Sequence, residues 1–75
     1  MTNLEREALW EQYPEVREMF EEYNDILLED DSSWERLVGS CHEIAESYGN
    51  APIVEFVVSD TAYQLEQIAR RRHGG

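Results

Sequence analysis

The chain has no lysine, one cysteine and two prolines. It also lacks an apolar run as long as the roughly 18 to 20 residues that cross a membrane. Each absence excludes something. With Cys41 alone, no disulfide forms within the chain, and with only His42 and His73 beside it there is no Cys/His set at structural-zinc spacing. A lone cysteine fits a reducing compartment. No leader-like apolar segment follows Met1, so a cytoplasmic location is expected and a membrane role is not. Glycine-rich phosphate loops and nucleophile–base pairs are missing, and a chain of 75 residues has little room for a cleft of several hundred Å³. An enzyme is therefore not expected, nor a cofactor or a metal.

What is present is negative charge. Seventeen acidic residues stand against six arginines, for a net charge of −11. Residues 1–31 carry eleven of the acids and two arginines, residues 32–69 six acids and one arginine, and residues 70–75 three arginines. Such a field repels nucleic acid and anionic membranes and attracts basic protein surfaces.

The length allows one domain, expected over 1–73 with 74–75 as a frayed tail. A domain this small buries a modest share of its surface, and burial and chain ordering nearly cancel. Without a disulfide or a metal, stability must come from well-formed helices or from association with another chain.

Four segments carry helix signals. Thr2 and Glu5 have capping-box spacing, with Leu4, Ala8 and Leu9 as the apolar side and an end near Tyr13, before a proline. Pro14 opens a second helix in which Val16, Met19, Phe20, Tyr23, Ile26 and Leu27 recur at steps of three and four, with a stop expected near Glu29. Ser32 and Glu35 make a second capping-box pattern. It precedes the stripe Trp34, Leu37, Val38, Cys41, Ile44, Ala45 and Tyr48, closed by Gly49. The last segment contains the β-branched run around Ile53–Val58, which also suits a strand. No second strand exists to pair with it, and helical spacing continues through Val54, Val57 or Val58, Thr61 or Ala62, Leu65, and Ile68 or Ala69. One helix over about 51–72 is expected, with Asn50 as its cap. The fold class is all-α: a compact antiparallel bundle of three to four helices.

The candidate functional feature is the polar face of the second helix. Glu15, Glu18, Glu22, Asp25 and Glu29 step by three and four, opposite Val16, Met19, Tyr23 and Ile26. With Glu21 and the Asp30–Asp31 corner they form a two-sided carboxylate ridge. Like charges at this spacing cost a few tenths of a kcal/mol per pair, and a purely solvating face usually interleaves basic residues; only Arg17 does so here. Trp10 sits off the Leu4/Ala8 side and is a second candidate for partner contact.

Other motifs read more plainly. His42 and Glu46 are a surface helix pair, since the zinc-protease pattern needs a histidine where Glu46 stands. Cys41 belongs to an apolar stripe and reads as an inert thiol. Arg70, Arg71 and Arg72 favour the dipole at a helix C-terminus and are too few for direct nucleic-acid binding on a chain of this charge.

These features lead to one expectation and one alternative. The expectation is an inhibitor whose carboxylates occupy the basic groove of a nucleic-acid-binding protein. In size, charge and helical character the chain resembles small anti-CRISPR proteins and bacteriocin immunity proteins. That likeness is one of class and carries over no residue. The alternative is a homodimeric structural or adaptor module in which Ile53, Phe56 and Val57 face a second copy.

Overall fold

The computed structural model describes residues 1–74, and they form four α-helices and no strand. Thr2 caps α1 (Asn3–Gln12) through the reciprocal box with Glu5. Tyr13 breaks the helical path, and Pro14 opens α2 (Pro14–Tyr23), where its missing N–H costs nothing. After a turn-rich connector come α3 (Asp31–Ser47) and α4 (Pro52–Gly74). The β-branched run is helical within α4. Gly74, expected to fray, is helical too; Gly75 lies outside the described residues.

Several local expectations are corrected. α2 ends at Tyr23, six residues before Glu29, and the connector is held by side chains from elsewhere. The Trp34 indole N–H donates to the carbonyls of Leu27 and Leu28 at 3.1 Å, and Arg72 donates to that of Asn24, also at 3.1 Å. Ile26 is buried by this path, whereas Leu27, assigned to the stripe, is 52% exposed. Asp30, not Ser32, caps α3. Its carboxylate accepts from the Ser33 N–H at 3.2 Å, the Ser33 hydroxyl at 2.7 Å and the Ser32 hydroxyl at 2.9 Å. Asn50 does not cap α4. It follows Gly49 into the left-handed region (φ 57° after φ 69°), and its N–H closes the end of α3 on the Ala45 carbonyl at 2.8 Å. Ala51 stands before α4, its carbonyl accepting from the N–H groups of Val54 and Glu55.

The order of contacts fixes the packing. Glu15 at the start of α2 meets Tyr48 just past α3, while Trp34 at the start of α3 holds the chain just beyond α2, so these neighbours run antiparallel. Leu37 packs with Leu65, and Ile44 and Tyr48 pack on the cluster of Val16, Val54, Val57 and Val58, so α3 and α4 are antiparallel as well. α2 and α4 run side by side in the same direction, with Val16 on the first turns of α4 and Asn24 on Arg72. The 35 Å long axis of the molecule matches the length of α4, 23 residues at about 1.5 Å each.

α1 docks on a side its sequence does not advertise. Leu4 is 80% exposed and Ala8 is exposed too, so the Leu4/Ala8 side does not face the core. The buried residue of α1 is Arg6, with Leu9, Trp10 and Tyr13 packed beside the valine cluster. Arg6 is bound at 2.6 Å by both Asp60 and Asn3, so the guanidinium is satisfied as it leaves water. On α3, Val38 lies 54% exposed although the stripe included it.

Candidate functional site

The ridge carboxylates are distributed over the two flanks of α2 and the connector. Glu15, Glu18 and Glu22 line the groove between α2 and α3, where Glu43 and Ser40 face them. Glu21 points to the other flank, into a cleft between α1 and α2 lined also by Glu7, Glu11 and Arg17. Because α2 ends at Tyr23, Asp25 and Glu29 do not continue the helical row. Asp25 instead joins Glu22 and Asp30 around a shallow depression that also includes Ser33 and Arg36. The acids therefore cover a surface crossing three helices.

Their environments differ. Glu18, Glu22, Asp25 and Asp31 are exposed, and among the described residues none has an arginine or histidine within 4.0 Å. Glu21 pairs with Arg17 at 3.0 Å, with both side chains about 60% exposed. Glu15 is half-buried and accepts a short hydrogen bond from the Tyr48 hydroxyl, which pushes the Tyr48 phenol above its ordinary value. Asp30 is committed to capping α3, and the hydroxyls and N–H donating to it hold its carboxyl below the usual aspartate range. Glu29 lies 3.6 Å from the His73 imidazole. Asp30 is thus structural, Glu15 is partly so, and Glu18, Glu22, Asp25 and Asp31 are the available members, with Glu18 and Glu22 the two on α2.

Trp10 lies on the floor of the α1–α2 cleft. Its indole N–H donates to the buried Thr61 hydroxyl at 3.1 Å, and its ring sits 4.8 Å from that of Phe20 at 37°. Glu7, Glu11 and Glu43 were missed as site residues. The four-residue spacing of Glu7 and Glu11 was visible in the sequence, but their approach to Glu21, and that of Glu43 to Glu18, depends on helix packing.

The three residues assigned to a dimer interface do not share a face. Val57 is fully buried against Val16 and Val54 inside the chain, so it cannot face a second copy. Ile53 and Phe56 are 44% and 54% exposed, and Tyr63, two turns beyond Phe56, is 55% exposed.

Cys41 is half-buried with its Sγ 3.7 Å from the Met19 sulfur, and burial pushes its thiol up, away from the reactive thiolate. His42 and Glu46 are exposed on α3. Among the described residues, no three His, Cys, Asp or Glu side chains gather as a metal site, and no helix is long and apolar enough to cross a membrane. Comparison with protein families, with characterised proteins and with solved structures finds no match.

Proposed function

We propose that this chain is a non-catalytic binding protein whose acidic surface occupies a basic groove on a nucleic-acid-binding protein and blocks it. The observation that carries this reading is the disposition of the arginines. Arg6 turns inward to Asp60, Arg70 pairs along its own helix with Glu66, and Arg72 binds a backbone carbonyl. Among the described residues Arg17 is the one arginine within 4.0 Å of a ridge acid, and Arg36, which shares the depression with Glu22 and Asp25, donates to the Ser33 hydroxyl, so Glu18, Glu22 and Asp25 stay unpaired and open to a cationic partner. Phosphates along one DNA strand are about 3.4 Å apart, and helix neighbours on one face about 5–6 Å. One helical row is therefore sparser than a strand, and acids supplied by α1, α2 and α3 together compensate for that.

The test begins with capture of a basic partner at low salt and asks whether the chain displaces duplex DNA from it. Displacement that weakens about tenfold or more in Glu18→Lys/Glu22→Lys, with helical content unchanged, supports the reading. Unchanged affinity in that variant, or retention as tight at high salt as at low, overturns it.

A homodimeric adaptor is the second reading, favoured by the exposure of Ile53, Phe56 and Tyr63 along α4. Two of the three acids on α4, Asp60 and Glu66, are paired with an arginine, which leaves the exposed Glu55 beside Phe56 as the one unpaired acid on that helix among the described residues.

A further inference from the structure

The acids of α1 and α2 surround something a solvating face does not need: a cleft with an aromatic floor. It measures about 350 Å³, although the chain's length argued against a cleft of that size, and it lies between Glu7, Trp10 and Glu11 of α1 and Arg17, Phe20 and Glu21 of α2. That volume is near the lower end for ligand clefts, which suits a single long side chain better than a folded element. The two rings are in contact, and Trp10 is fixed by its bond to Thr61. Three carboxylates at the rim face one guanidinium, and that one is already held by Glu21. Glu7 and Glu11 have no arginine or histidine within 4.0 Å among the described residues.

We infer that this cleft receives one arginine side chain of a partner protein, its guanidinium lying against Trp10 and Phe20 and pairing with Glu7 and Glu11. The inference rests on the reading of the chain as a binder of basic proteins and specifies how such a partner is anchored. Arginine is favoured over lysine on physical grounds. A guanidinium is planar, less strongly hydrated than an ammonium, stacks on aromatic faces and forks onto carboxylates, whereas an ammonium gains mainly from net charge. A negative surface without a floor would treat the two alike, so discrimination between them is the signature of the cleft.

The test is a titration of the ¹⁵N-labelled full chain with N-acetyl-arginine amide and, separately, N-acetyl-lysine amide, at about 0.15 M salt. The Trp10 indole N–H reports on the cleft. That of Trp34, held by the carbonyls of Leu27 and Leu28, is the internal control. The expected result is a saturable, millimolar-range shift of the Trp10 signal with the arginine compound, at least about threefold tighter than with lysine, and a still Trp34 signal. Glu11→Gln and Phe20→Leu should each weaken it without loss of helical content. An absent Trp10 shift, or equal responses to the two compounds spread over all the carboxylates, overturns the inference. The titration uses no partner, so the cleft can fail while the Glu18/Glu22 displacement assay succeeds, and the reverse.

Discussion

Arg6 and Asp60 are 54 positions apart in sequence, yet the guanidinium donates to the carboxylate at 2.6 Å with side-chain exposures of only 9% and 17%. This pair, with the Asn3 oxygen on the same guanidinium, attaches α1 to the middle of α4. Breaking a buried pair by removing one partner leaves the other charge without compensation. Arg6→Ala is therefore expected to cost about 3 kcal/mol, read from urea unfolding midpoints. A domain of this length has total stability of roughly 4–11 kcal/mol, so the loss should be conspicuous. Replacing both partners, as in Arg6→Met/Asp60→Leu, should recover much of it. Since methionine keeps the packing of the arginine stem, a double variant as unstable as Arg6→Ala would show that the ion pair and its hydrogen bonds themselves secure α1.

The Asp30 cap gives α3 a pH-dependent start. Its folded pKa lies below its ordinary value, so its contribution to stability is present above the usual aspartate range and is lost as pH falls through and below it. Asp30→Ala should melt at a lower temperature than the parent at neutral pH. The gap between them should narrow as pH drops below about 4. A gap that stays constant across that range would mean the carboxylate's charge is not what caps the helix.

Neighbouring positions on α4 should behave in opposite ways. Val57→Glu places a charge in the sealed valine cluster and should unfold the chain, seen as loss of helical circular dichroism. Phe56→Glu, at an exposed site, should fold normally. If the parent chain is a dimer through α4, light scattering of Phe56→Glu will give the monomer mass.

Salt should stabilise this protein. At −11 the acids repel one another along α1, α2 and the connector, and the Debye length falls from about 30 Å at 0.01 M to about 8 Å at 0.15 M, so added salt screens that repulsion. The melting temperature should rise between about 0.01 and 0.15 M salt. It should rise less in Glu18→Lys/Glu22→Lys, where the crowding is already relieved. A melting temperature insensitive to salt would contradict the picture of a crowded, unneutralised surface.

By itself the sequence determined the all-α class and where helical periodicity runs, though it left the count at three to four helices and the Ile53–Val58 run open to a strand. Periodicity placed Val16, Met19, Leu37, Val54 and Leu65 inside, and glycine at position 49 marked the left-handed end of α3, because these depend on local spacing and backbone freedom. Tertiary structure decided what local rules leave open. An arginine became the buried side of α1 because Asp60 was brought within reach, and α2 stopped early because Trp34 and Arg72 satisfy the connector's carbonyls. The site divided in the same way: the row of carboxylates, with Glu21 on its second side, was visible along the chain, but the stop of α2 at Tyr23 took Asp25 and Glu29 out of that row. Packing likewise joined Glu21 to Glu7 and Glu11 and put Trp10 and Phe20 beneath them. A sequence pattern records spacing along one helix, whereas a cleft is made by the angle at which two helices meet.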